Sequence, residues 1–278
     1  LSNGESKQMT AQDLENGNLG KGLKGSICNG DGKWQITARS SKSIQMMGFI
    51  RTKNGFLTGL TDVVPTTAGS NTVYFANPAS TSQQQTFLRI VNNSPSAGTV
   101  VITATDNLGT PALGRVSFDL VANSSKQMTS KDLEDGNAPK GLTGKLGDGT
   151  GKWRLTISSS LDLSAQSLIR TPDGFLTNLS APVTPSQNGD ATLSFFNPAS
   201  NTTQQSFIRL INSGSEISSV TISAVDDVGQ MSPNGDVSLI LGSGQSVDLS
   251  ATDLEQGNAN LQLNGFLGVG TGRWRLNV

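Results

Sequence analysis

The 278-residue chain contains no histidine. That removes Ser-His-Asp and Cys-His catalysis in their usual forms, and every zinc site built on imidazole. A single cysteine, Cys28, can neither close an intrachain disulfide nor hold an iron–sulfur cluster. Charge is scarce: 15% of residues are Asp, Glu, Lys or Arg, and the net charge is −1. No basic surface for nucleic acid can be assembled from so little. Aromatics make up 5% of the chain, with one tyrosine, too few for an aromatic stripe. No apolar run is long enough to span a bilayer. Gly147-Asp148-Gly149-Thr150-Gly151 lacks the Lys-Ser/Thr pair of a phosphate-binding loop and leads into a strand pattern, not a helix. Leu1-Ser2-Asn3-Gly4 shows no signal-peptide pattern, which puts any export signal outside this sequence or already removed.

What the chain does have is repetition. Its three tryptophans, Trp34, Trp153 and Trp274, lie 119 and 121 residues apart, each within a Gly-Lys/Arg-Trp phrase. A period near 120 residues marks modules large enough for their own cores. Cys28 falls where the other copies have Leu146 and Leu267, which predicts a small buried apolar side chain.

Each copy opens with a capping-box pattern, Thr10 to Asp13, Thr129 to Asp132 and Ser250 to Asp253. A leucine (Leu14, Leu133, Leu254) and a glutamate (Glu15, Glu134, Glu255) follow, then a stopping glycine at 17, 136 or 257. This predicts one short helical turn per module, its acids serving the caps. The Trp strand comes next, alternating as Trp34 and Ile36 against Gln35 and Thr37. A hairpin completes the copy, 44–51 turning through Lys53-Asn54-Gly55 into 56–60. The second copy turns through Pro172-Asp173-Gly174. Asn-Gly and Asp-Gly, with Gly55 and Gly174, supply the positive φ angles that tight hairpins demand.

Residues 62–72 and roughly 180–190 read as surface connections, because the repeat offset changes across the first of them. Beyond each connection a front half begins. Asn77-Pro78 and Asn197-Pro198 break a strand into a turn, and apolar strands follow at 86–92, 99–104 and 116–120, echoed at 206–212, 219–224 and 237–241. About seven short strands per module predict an all-β fold of tandem antiparallel β-sandwich modules, immunoglobulin- or fibronectin-like, with a small barrel as runner-up. Residues 1–64 form the C-terminal half of a module, 65–183 a complete module, and 184–278 a second one lacking its last hairpin.

Candidate chemistry is thin. The recurring acids have structural roles, so the chain reads as non-enzymatic, with no catalytic residues and no cofactor. Calcium is the one metal candidate, through Asp106, Asp226 and Asp227. The simpler role for these three is closing turns that end at Gly109 and Gly229. Trp34, Trp153 and Trp274 are expected in the core, where an inward strand Trp is ordinary. Trp153 and Arg170 are the weaker alternative, a contact for surface polysaccharide.

The phrases Asn-Pro-Ala-Ser, Gln-Gln-Ser-Phe-Ile-Arg-Leu-Ile-Asn, Asp-Asp-Val-Gly, Gly-Lys-Trp-Arg-Leu and Thr-Pro-Asp-Gly-Phe-Leu-Thr-Asn-Leu-Ser resemble repeats in large secreted or surface proteins of bacteria. Such repeats sometimes trail a secreted protease or another extracellular domain. The resemblance covers nearly the whole chain and implies an extracellular or cell-surface location and a repeat architecture, not a ligand. Together these readings anticipate a structural, adhesive or filament-forming array. Its partners are neighbouring modules or a second copy, the leading half-module completing the trailing one head to tail. The alternative is a carbohydrate-binding accessory of a secreted hydrolase or protease.

Overall fold

Burial with period two organises the strands. In Gln85–Asn92 the residues Thr86, Leu88, Ile90 and Asn92 are buried while Gln85, Phe87, Arg89 and Val91 are not, the mark of a strand packed on one face. A computed structural model describes residues 5–64, 66–67, 69–180 and 189–278, the side chain of Thr67 excepted. The fold is all-β, antiparallel and sandwich-like, with three six-residue α-helices among the described residues. Two compact units emerge, Leu1–Met46 and Met47–Val278. The module boundaries expected beside 64 and at 183/184 adjoin Pro65 and residues 181–188, outside the described residues.

Within the larger unit, one six-stranded sheet runs in the order Thr66–Thr67, Ser70–Ala76, Trp153–Ser158, Gly98–Thr105, Val116–Leu120, Thr143–Gly144. A four-stranded sheet runs Leu176–Asn178, Leu163–Arg170, Gln85–Asn92, Ser125–Thr129. One apolar core, including Leu88, Ile90, Ile102, Val116, Trp153, Leu155 and Ala165, draws on both sheets. Later in the chain a four-stranded sheet, Thr192–Phe196, Trp274–Asn277, Ser218–Asp226 and Val237–Leu241, accompanies a two-stranded one, Phe207–Ile211 with Ser246–Ser250. Their core holds Phe196, Ile222, Leu249, Leu254 and Trp274.

Besides the two-residue strands Thr66–Thr67, within the expected connection, and Thr143–Gly144, two longer strands escape the sequence patterns: Ser125–Thr129 and Ser246–Ser250. Each anchors by one fully buried side chain, Met128 or Leu249, and is otherwise half-exposed. Ser125–Thr129, with Met128 as its one apolar inward residue, carries no alternation to detect, whereas Ser246–Ser250 does alternate, Val247 packing on the core beside Leu249.

The helices form where the caps predict. Ala11–Asn16, Ser130–Asp135 and Ala251–Gln256 each have a complete capping box and a C-terminal glycine at positive φ. A 3₁₀ turn follows each one, at Leu19–Lys21, Ala138–Lys140 and Ala259–Leu261, so a single helical turn per copy understates the count. These second turns are capped by Asn18, Asn137 and Asn258.

Both hairpins form, turning through Lys53-Asn54-Gly55 and Pro172-Asp173-Gly174. Thr52 N–H donates to the Phe56 carbonyl and Gly55 N–H to the Thr52 carbonyl, a pattern repeated by Thr171, Phe175 and Gly174. Gly55 (φ 90°) and Gly174 (φ 92°) are left-handed, whereas Asn54 and Asp173 are not. This is the longer loop, an ordinary turn followed by a glycine bulge, in which only the glycine needs positive φ.

The smaller unit departs furthest from expectation. Residues 27–48 contain no strand, and none of residues 5–46 is buried. Trp34, expected in the core, is 40% exposed, while Trp153 and Trp274 are 3% and 2% exposed. Cys28 is exposed as well, at φ 60°, where Leu146 and Leu267 are buried. The reason is pairing. Trp153–Ser158 lies between Ser70–Ala76 and Gly98–Thr105, and Trp274–Asn277 between Thr192–Phe196 and Ser218–Asp226. All four flanking strands come from a front half, and no such strand flanks residues 34–37. Without a ladder on either side the phrase stays extended and wet. Cys28 should therefore react with an aromatic disulfide reagent in native buffer within a few-fold of its rate in denaturant; protection of more than about a hundredfold would contradict its exposure.

Candidate functional site

The strongest recurring constellation joins helix, loop and Trp strand. The Trp153 Nε1–H donates to Glu134 Oε1 at 3.1 Å, and the Ala79 N–H reaches both carboxylate oxygens at 3.1 Å. In the next copy Trp274 Nε1 donates to Glu255 Oε1 at 2.8 Å and Ala199 N–H to the same oxygen at 3.2 Å. Glu134 and Glu255 are both buried. A buried carboxylate survives only when hydrogen-bonded, and here its donors come from opposite halves of the module. Burial pushes the Glu134 carboxyl up from its usual range, against the donors Ala79 and Trp153 that pull it down.

Glycine completes the arrangement. A Cβ at Gly149 would come within 2.2 Å of the Trp153 ring, and one at Gly270 within 2.4 Å of Trp274. Close approach of backbone to ring requires glycine here. The first copy keeps the local part: Trp34 Nε1 donates to Glu15 Oε1 at 2.8 Å, and Gly30 lies against the ring. These glutamates, read from sequence as helix-terminal acids, are clamps on the indole. The fixed separation of 19 residues between each Glu and its Trp was the available signal.

The aspartates behave as turn closers. Asp106 Oδ1 accepts from the Leu108 and Thr110 N–H groups, and Oδ2 from Thr150 N–H. Asp226 does the same with Val228, Gln230 and Thr271, and Asp227 Oδ2 accepts from Arg273 N–H at 2.9 Å. Backbone donation, from Thr271 above all, lowers the Asp226 carboxyl. Both carboxylate oxygens of Asp106 and Asp226 and one of Asp227 are thus engaged by backbone amides. Among the described residues no group of three or more acidic, cysteine or histidine side chains converges on one point.

Asn77 and Asn197 are buried at their turns, each side chain donating to a backbone carbonyl, Gln84 or Gln204. Arg170 is exposed, its guanidinium 4.8 Å over the Phe87 ring and its Nη2 3.3 Å from Gln85 Oε1. Shallow clefts beside it are lined by Ser82, Gln85, Pro172 and Gly174. Trp153, the proposed sugar-stacking ring, is buried and absent from that lining.

A second constellation lies where residues of the two cores meet. Asp248 Oδ2 accepts from Lys152 Nζ at 2.7 Å and Arg209 Nη1 at 3.0 Å. Arg209 also reaches the Tyr74 carbonyl and Asn107 Oδ1, while the Ser246 N–H donates to the Asn107 carbonyl at 3.0 Å. Lys152 and Arg209 both lie over the Phe75 ring, at 5.0 and 5.8 Å. Asp248 is not in the recurring set, since its counterpart is Gln127.

No family model, curated protein or solved structure matches the chain.

Replacing Glu134 by Ala should destabilise by about 2–3 kcal/mol in urea unfolding, since it orphans the Trp153 and Ala79 donors. Glu134→Gln keeps an acceptor and should cost under about 1 kcal/mol at neutral pH. Equal losses for the two would show that the acceptor is irrelevant. Their pH profiles should also differ. A carboxyl held above its unfolded value weakens the fold as pH rises through the shifted range, and Glu134→Gln removes that slope. Asp132 acts oppositely. Burial pushes it up, but Lys140, Thr129 and Asn137 together hold it at about 2, so its stabilisation is present above the unfolded value of 3.8 and is lost as pH falls towards 2.

Proposed function

We propose that the chain is a non-enzymatic, extracellular repeat protein that works as a structural, adhesive or filament-forming array. Its useful property is the way one module holds the next. The observation that carries this reading is the junction around Asp248. Lys152 and Asn107, from one sandwich, meet Arg209, Ser246 and Asp248, from the next, in one hydrogen-bonded cluster. A junction that shares charges and a backbone hydrogen bond resists bending better than a flexible linker does.

The location comes from the resemblance to bacterial surface repeats and from a Ser-, Thr-, Asn- and Gly-rich surface. The competing reading, a carbohydrate-binding accessory to a secreted hydrolase or protease, would need an open aromatic face. Glutamate and glycine flank the indole in all three copies, and in two of them the ring is buried as well.

Asp248→Ala leaves Lys152 and Arg209 without their carboxylate, beside Arg154, which feels the charge of Arg209 and whose Nη1 is buried without a hydrogen-bond partner among the described residues. The two sandwiches should then unfold in separate calorimetric transitions, and the scattering profile should become that of a hinged molecule. One unchanged transition and an unchanged profile would count against the array. Saturable tryptophan quenching by a polysaccharide would favour the accessory reading instead.

A further inference from the structure

The complete sandwich is entered and left along one edge of a single strand, Leu163–Arg170, whose other edge is filled by Gln85–Asn92. On the first edge, Leu176–Asn178 pairs with Leu168–Arg170. Next along it, the Leu179 N–H donates to the Ser167 carbonyl and the Ser167 N–H to Ser180 Oγ, at 2.9 and 2.7 Å. The entering chain takes the position that follows. Val64 N–H donates to the Ala165 carbonyl at 2.7 Å, and Gln166 Nε2 to the Leu60 carbonyl at 2.6 Å. Val64 and Ser180 are both buried, so entry and exit are fixed parts of the fold.

One side chain joins the two. Asn178 Nδ2 donates to the Gly59 and Asp62 carbonyls, both at 3.0 Å. Its Oδ1 accepts from the Ser180 N–H at 3.0 Å and from the Ser180 hydroxyl at 2.5 Å. Two donors and two acceptor positions are all that a carboxamide has, and each is used. The hairpin before the entry is held too. Thr58 Oγ1 donates to the Leu176 carbonyl, Asn54 Nδ2 to the Asp173 carbonyl at 2.7 Å, and Phe56 meets Phe175 edge-on. Asn54 with Asp173, Phe56 with Phe175 and Gly59 with Asn178 are positions one repeat apart, so hairpin lies on hairpin in the register of the repeat. Gly59, the counterpart of Asn178, has no side chain, so the repeat itself gives no sign of the tie.

We propose that this clasp takes the tension when the array is stretched, and so shields the sandwich behind it. Two points of a chain tied directly to each other put no load on the loop between them until the tie gives. Here that loop runs 116 residues along the chain, from Asp62 to Asn178, and holds one whole core. The clasp itself is made of Asn54, Phe56, Thr58, Phe175 and Asn178 with backbone carbonyls, and none of these side chains belongs to that core. It can therefore open and close again while the sandwich stays folded.

This inference rests on the array reading and names the contact that meets the pull. The test stretches the full-length chain between its ends at constant force, beside unfolding in urea without load. Asn178→Asp keeps the size of the side chain and an oxygen for Ser180, but loses both donors to Gly59 and Asp62. Release of the clasped loop is a step of roughly 400 Å, at about 3.5 Å per residue. Under load that step should come at least tenfold sooner in Asn178→Asp, while its unfolding rate in urea changes less than about threefold. Asn178→Ala, which also lets go of Ser180, should release at least as early under load. Equal acceleration with and without load would make Asn178 a stabilising contact only and overturns the clasp. An unchanged step under load in both variants overturns it as well. Either result leaves the array reading standing, since that reading is decided by the Asp248→Ala transitions.

Discussion

Everything in a module depends on one buried carboxylate finding its donors. Glu134 sits at 6% exposure with the indole of Trp153 on one side and the Ala79 amide on the other. Taking a carboxylate out of water costs several kcal/mol unless hydrogen bonds replace the lost hydration. The helix that presents Glu134 and the strand that carries Trp153 belong to the back half, whereas Ala79 belongs to the Asn-Pro-Ala-Ser turn of the front half. The polar requirement of one side chain thereby ties the two halves at a set position, and Gly149 lets the backbone lie flat against the ring.

The first copy separates what is local in this arrangement from what is not. Glu15 and Trp34 still find each other, and Thr10 and Asp13 still form a complete capping box. Both pairs need only a short stretch of chain and no core. The strand itself does not form, because Trp153–Ser158 is a central strand whose ladders are both supplied by the front half. An identical pattern of alternating residues is thus a strand at 153–158 and 274–277 but extended, exposed chain at 34–37.

The recurring contacts join repeated parts rather than line a cleft. The aspartates that could have served a cation spend their oxygens on the amides of their own turns and of the Gly-Thr-Gly loop before the Trp strand. The hairpins of the first two copies touch, with Phe56 edge-on to Phe175 at 4.9 Å and Asn54 donating to the Asp173 carbonyl. Around Asp248 a further contact joins the two sandwiches. A repeat built this way has its chemistry in its edges.

Much of this was legible in the residues alone: the period, the three capping boxes, the hairpins, and most strands with strong alternation. The strand Ser125–Thr129 was not, because it holds the core by Met128 alone, and Ser246–Ser250 offers only Val247 and Leu249. Nor was the junction, since Asp248 has a glutamine in its place one period earlier and only proximity gives it a role. By itself the sequence determined every feature whose partners lie within about twenty residues: caps, turns, and the Glu–Trp bond. Tertiary structure decided which copies of the Trp phrase become strands and which cysteine or leucine is buried. Those outcomes depend on hydrogen-bonding groups from strands far away in the chain, and a repeated phrase cannot show whether its neighbours are there.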